Sequence, residues 1–129
     1  MWNFVYLVGR VALAAMFVWS GAGKLVDPAG ITAMLSGRGL PVPVVLAYAA
    51  GLAELLAGLM VVVGFQTRLA ALALIAFTIA ATALGHPFWT MEGAARRANL
   101  IHAWKNLSVV GGLLMLMAAG PGRFSVDRR

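Results

Sequence analysis

Glu54 is the one charged side chain inside an apolar run that spans residues 44–65. A carboxylate at such a depth is costly and needs a basic partner or a proton. Basic and polar residues occur at matching positions elsewhere. Arg10, Ala14, Phe17, Gly21 and Lys24 recur at helical spacing along one face of the first apolar run. Gly51, Glu54 and Gly58 share a face of the second, where the glycines permit close approach of another backbone. Thr78, Thr82 and His86 step by four along the third, and Lys105 and Asn106 open the fourth.

These residues converge if the runs are helices that alternate in direction. Lys24, His86, Lys105 and Asn106 then reach one end of a bundle. Glu54 lies near the midplane, and Arg10 enters from the opposite end on a long side chain. Arg10–Glu54 is the most natural structural ion pair, because a guanidinium fork engages a carboxylate bidentately. Lys24 and Lys105 compete for the same acid. The candidate ligand site is therefore Lys24, Glu54, His86, Lys105 and Asn106.

The chemistry open to this set is binding and proton transfer. Lysines and an asparagine hold anionic or carbonyl oxygens by charge-assisted hydrogen bonds, and a histidine relays protons near neutrality. Each residue also has a plain structural reading. Lys24 and Lys105 can snorkel to head groups. His86 precedes Pro87 and suits a helix end, His102 suits the interface, and the threonines can bond to their own helix backbone. Two histidines and one buried acid form no recognisable metal spacing, so no metal is expected. There is no nucleophile–base pair and no phosphate loop.

The elements that position these groups follow from composition. The hydrophobic fraction is 62% and the charged fraction 11%, against about 45–50% and about 25% in soluble domains. A water-soluble domain of this length has no means of hiding so much apolar surface. The net charge is +6. The basic residues sit at helix ends and loops without interleaved aromatics, so membrane lipid head groups are the expected partners and nucleic acid is not. The absence of cysteine excludes disulfides, thiol redox chemistry and thiolate-bound metal or iron–sulfur centres.

An all-α membrane protein is expected: a bundle of four transmembrane helices forming one domain over residues 1–129, with spans at about 4–23, 44–65, 69–85 and 101–119. Asp27-Pro28 stops the first helix and starts a short interfacial one that Gly39 ends, since Asp caps and Pro suits a first turn. Gln66-Thr67-Arg68 reads as a tight polar turn, residues 88–99 as an interfacial segment, Trp104 as an anchor, and the tail from Arg123 as short and exposed. Arg10, Arg68, Arg123, Arg128 and Arg129 lie on the side of the termini, against Lys24, Arg38, Arg96, Arg97 and Lys105 on the other. With Lys24 and Lys105 reserved for a site, the positive-inside rule favours cytoplasmic termini in a bacterial-type inner (plasma) membrane.

Over nearly its whole length the chain resembles the DoxX family of small membrane proteins. The resemblance rests on Gly9-Arg10, Ser20-Gly21 to Lys24-Leu25, Gly39 with Pro41, Glu54-Leu55 followed by Gly64, and Thr67-Arg68. His86-Pro87-Phe88, Lys105-Asn106 and Gly120-Pro121-Gly122 to Ser125-Val126-Asp127 complete it. It implies a four-helix membrane fold and an association with redox or sulfur metabolism, in which relatives are linked to thiosulfate oxidation with quinone as acceptor or to oxidative-stress enzymes. It also implies that Arg10, Lys24, Glu54, Arg68 (in a loop motif), His86, Lys105 and Asn106 carry the family's polar motif.

The combined expectation is a redox-accessory membrane protein that binds a small sulfur oxyanion or a quinone head group. It would act without a covalently bound cofactor, as a non-cofactor subunit of a quinone-linked oxidoreductase. A transporter of small solutes or a proton/anion pathway, formed by a homo-oligomer, is the alternative, as is a scaffold for a partner redox enzyme.

Overall fold

The computed structural model describes residues 1–127; Arg128 and Arg129, counted above for sidedness, lie outside them. The described chain is all helical. Helix α1 is Trp2–Val26, α2 Ala29–Gly37, α3 Pro43–Val63, α4 Thr67–Gly85 and α5 Gly93–Ala119, with a single 3-10 turn at Phe88–Thr90. Among the described residues, four of these helices are long and apolar enough to cross a membrane, with α4 counted through Thr90. The fourth differs from the expected span. The helix starts at Gly93, so its first two turns, carrying exposed Arg96 and Arg97, stand outside the apolar stretch. At 1.5 Å per residue, 27 residues reach about 40 Å, longer than a hydrocarbon core of about 30 Å.

Local signals set the breaks. The Asp27 Oδ1 accepts the N–H of Ala29 at 3.2 Å and turns the chain into α2. Pro43 occupies the start of α3. Gly64 ends α3 in the left-handed region at φ +74°, and the Phe65 N–H closes on the Met60 carbonyl at 2.9 Å. Thr67 and Arg68 belong to the first turn of α4; the turn itself is Gly64–Phe65–Gln66.

The core is narrow: Ala14, Phe17, Val61, Leu74 and Leu113 are all but inaccessible. Outside it, large apolar side chains such as Leu52, Leu56, Leu72, Ile79, Leu107 and Met115 are about half exposed or more. An exposed apolar belt on every long helix is what a lipid-embedded bundle requires.

The tightest packing is between antiparallel α1 and α3, and glycines set it. A Cβ on Gly21 would stand 2.5 Å from the Leu55 nitrogen, and one on Gly51 2.9 Å from the Lys24 Cβ. One on Gly58 would stand 3.1–3.2 Å from Phe17 and Val18 atoms. Small residues thus let the two backbones approach closely where no water-driven force pulls them together. The same contacts fix the register: Gly21 lies level with Gly51–Leu55, and Phe17–Val18 with Gly58.

Candidate functional site

That register decides the partner of Glu54. Glu54 is 3% exposed, and its Oε2 accepts from the Lys24 Nζ at 2.7 Å. The same ammonium donates to Ser20 Oγ at 2.6 Å, one turn back on α1, and stands 5.6 Å from the centre of the Phe77 ring. Two hydrogen bonds and an aromatic face hold the cation where water is scarce. Gly51 leaves the space that the Lys24 stem occupies.

The expected Arg10–Glu54 pair does not form. In the register of α1 and α3, Arg10 lies level with Gly64, ten residues from Glu54 and about 15 Å along the axis. Arg10 is instead buried at the other end of the bundle. It donates to the carbonyls of Pro121, of Val62 at 3.1 Å and of Phe124 at 2.6 Å. The tail from Arg123 is exposed at Arg123, Phe124 and Val126, as expected, but its backbone is docked on the bundle. The Tyr6 hydroxyl donates to the Gly120 carbonyl. The Val126 and Asp127 amides each donate at 3.0 Å, to Val63 and Gly64, and the Asp127 Oδ2 accepts the first amide of α4, Thr67, at 3.3 Å. Arg68 lies at this end too, beside Gly120.

Around the Lys24–Glu54 pair lies a cavity of about 480 Å³. Helices α1, α3 and α4 form its sides. Ile31, Met34 and Leu35 of α2 cover it, and α2 is fastened to α4 by the Arg38 Nε–H, which donates to the Leu84 carbonyl at 2.9 Å. The short helix after the first span is thus a wall of the cavity. Most of the lining is apolar, and the polar exceptions are Ser20, Lys24, Glu54, Thr78, His86 and Asn106.

Four of the five residues expected to form the site therefore share one space. Lys105 does not: it is exposed and absent from the lining, whereas Asn106, one residue on and about 100° around the helix, faces α4. The Asn106 Nδ2 donates to Thr82 Oγ1 at 2.8 Å, Thr82 donates back to the Thr78 carbonyl, and Thr78 to that of Leu74. The threonine stripe is a relay of satisfied hydroxyls, with the Asn106 carbonyl left for other uses.

His86 caps α4 at the rim. The Asn99 Nδ2 donates to the Ala95 carbonyl at 2.9 Å, which turns Oδ1 towards His86 Nδ1 at 2.8 Å. An amide oxygen only accepts, so Nδ1 carries the proton and Nε2 of the neutral ring keeps its lone pair. His102 stacks on His86 with centroids 4.6 Å apart. Asn99, Ser20 and Phe77 were not among the candidates. A polar residue on the extra turns of α5 becomes a candidate only once those turns are known to be helical, and Phe77 has no polar signature at all.

Comparison with known proteins bears on the family and the membrane setting. The DoxX family model matches residues 5–87. Inner membrane protein YphA of Escherichia coli (strain K12) is 36% identical over 123 residues, covering 95% of this chain and 88% of that protein. Inner membrane protein YqjF of the same strain is 34% identical over 125 residues, with the same coverage of 95% and 88%. A Surfeit locus protein 4 homolog of Schizosaccharomyces pombe is 38% identical over 72 residues, 54% of this chain and 24% of that protein. No solved structure matches the chain. A family model that takes in Lys24, Glu54 and His86, and likeness to two inner membrane proteins over almost the full length, place this chain in the DoxX family of integral membrane proteins.

Proposed function

We propose that the cavity binds a quinone-type head group, a neutral ring with carbonyl or hydroxyl oxygens, and that the protein serves a membrane redox system as its quinone-holding subunit. The observation that carries this reading is the Lys24–Glu54 ion pair set in the wall of a mostly apolar cavity. The charge of Lys24 is already matched by Glu54, and Lys105 stands outside. A small sulfur oxyanion such as thiosulfate would lose its hydration there without gaining net positive charge. A neutral ring loses little. Apolar walls take its faces, the remaining Lys24 proton and the Asn106 amide meet its oxygens, and the volume falls within the roughly 300–1,000 Å³ of small-molecule sites.

Within this reading the chain's own residues bind, orient and shield. Glu54 fixes the lysine, Phe77 and the α2 side chains exclude water, and the lone pair of His86 Nε2 can accept a proton at the rim. A bound quinone would supply the electron-accepting chemistry. The chain has no cysteine and so no thiol couple of its own, and the reading assigns oxidation and reduction to a partner subunit. With cytoplasmic termini, which the charge count favours, the cavity falls in the outer half of a plasma membrane.

Calorimetric titration of protein in lipid nanodiscs tests the reading. Decylubiquinone is expected to bind saturably and Lys24→Met to weaken it, with no displacement by thiosulfate. Binding of thiosulfate, with none of the quinone, would reverse the assignment.

A further inference from the structure

The cavity lies within the membrane-spanning part of the bundle. Two of its lining residues on spanning helices are exposed rather than buried. Met16 is 47% exposed, and Ala80 is exposed as well. Met16 lies ten residues before the end of α1, about 15 Å along the axis, and Ala80 five residues before the end of α4, about 7.5 Å. Both depths fall inside the hydrocarbon layer rather than at the head groups.

The packing explains this exposure. Helix α5 lies chiefly on α4 and meets α1 sparsely. Leu13 against Gly112 is the close point, where a glycine Cβ would stand 3.3 Å from Leu13. From there towards the cavity end, Met16 and Ser20 on α1 are level with Ser108 and Lys105 on α5, and both of the latter are exposed. On the other side, α3 and α4 are joined by a tight turn at one end and spread at the other, where α2 fills the gap. Below α2 the two walls are Ala50 and Ala80, which are too small to close it.

We infer that the occupant of this cavity is a lipid-tailed molecule that enters from the bilayer, its polar head against Lys24 and Asn106 and its aliphatic chain running out past Met16 or Ala80. The inference deepens the quinone-type reading and rests on it for the head group. A water-soluble ligand would instead need a route from the aqueous end, which α2 covers with Ile31, Met34 and Leu35 and fastens through Arg38. An aliphatic chain also removes the difficulty of an apolar opening facing lipid, since methylenes fill it at no cost in hydration.

The test compares two quinones and two blocked openings in nanodiscs. One quinone carries a decyl chain and the other is the same ring without a chain. Met16→Trp and Ala80→Trp each place bulk at one opening, on a side that faces lipid and tolerates it. Met16→Ala serves as the opposite change. At least one tryptophan variant is expected to weaken the decyl compound about tenfold, equivalent to losing burial of roughly two methylenes. The chainless ring should change less than about twofold on the same scale, and Met16→Ala should not weaken either compound. Equal affinity of both compounds for wild type, with no effect of either tryptophan, would overturn the inference and leave the head-group reading intact. If neither quinone binds, the head-group reading fails, and a fatty alcohol with a diazirine on the carbons next to its hydroxyl then decides the inference by itself. Photo-adducts on Phe77 or Leu84 inside the cavity uphold it, and adducts confined to outward residues such as Leu72 and Ile79 overturn it.

Discussion

Lys24 and Glu54 form an ion pair between α1 and α3, Nζ to Oε2 2.7 Å, with the lysine side chain 19% exposed and the glutamate 3%. The unequal burial predicts unequal variants. Lys24→Met strands a carboxylate in the bundle and is expected to cost about 3–5 kcal/mol. Lys24→Met combined with Glu54→Leu should recover most of that loss, because no charge is then left unpaired. Arg10→Leu and Glu54→Leu should simply add, since they act at opposite ends. Chemical unfolding in detergent measures all of these, and coupling of Glu54 to Arg10 but not to Lys24 would refute the pairing.

The glycines of the α1–α3 contact give a second prediction. Gly21→Ala drives a methyl to 2.5 Å from the Leu55 backbone nitrogen, and backbone cannot turn aside. A loss of about 3 kcal/mol or more is expected, from separation of the two helices and their contacts. Gly111→Ala is the contrast. A Cβ there meets nothing within 4 Å, so the variant should be neutral or more stable by about 0.5–1 kcal/mol. Melting temperatures of the two variants, measured together, check both signs.

Much of this arrangement is legible in the residues, and most of the part that is not has a common cause. Hydropathy marks the spans, Asp27-Pro28 marks the break before α2, and an acid among apolar residues marks Glu54. Periodicity also places Arg10 and Lys24 on the correct face of α1. It carries no information on how far one helix slides along another, however, and that slide chooses between them. Gly21, Gly51 and Gly58 set the slide, and a glycine's role as a contact point shows only when its partner is known. The same limit explains Lys105 and Asn106. They are adjacent in sequence but about 100° apart on α5, and the residues that face α4 follow from the rotation of the helix. The docked tail was hidden for another reason: apart from the Asp127 carboxylate, its docking groups are backbone amides and carbonyls, which every sequence contains.

Arg10 makes the tail's attachment testable. Its guanidinium serves the carbonyls of Val62, Pro121 and Phe124 at once. Arg10→Leu should leave these carbonyls without donors and lower stability by about 3–5 kcal/mol, two or three hydrogen bonds to a charged group. The tail should also open, which hydrogen exchange reads directly. The Val126 and Asp127 amides, bonded to Val63 and Gly64 in the native protein, should exchange faster by a factor of about a hundred, corresponding to some 2.7 kcal/mol of lost local protection. Arg10→Lys should not restore them, because a single ammonium cannot span the three acceptors.

The rim histidine should be a single tautomer. Asn99 Oδ1 accepts from His86 Nδ1 because Asn99 Nδ2 is committed to the Ala95 carbonyl. Nitrogen chemical shifts of the neutral ring should therefore report Nδ1–H, against the usual preference for Nε2–H. Asn99→Ala removes the acceptor and should shift the population to Nε2–H, while His102→Ala, which removes only a stacked ring, should leave it unchanged. Nε2–H in the wild-type protein would mean that the amide is turned the other way and that His86 offers the cavity a donor instead of a lone pair.

Asn106 and Lys105 separate the lining from the surface. Asn106→Leu removes an amide that faces the cavity and is anchored on Thr82. Thr82 keeps its own bond to the Thr78 carbonyl at 2.7 Å, so the protein should lose only about 1 kcal/mol of stability. Binding of decylubiquinone should weaken five- to tenfold, roughly the worth of one hydrogen bond. Lys105→Ala, one position away, alters an exposed side chain outside the lining and should change affinity by less than about twofold. The comparison is informative because the two residues sit side by side in the sequence and at the same depth. If Lys105→Ala weakens binding as much as Asn106→Leu does, the ligand reaches beyond the cavity to the outer face of α5, and the site is larger than the space around Lys24 and Glu54.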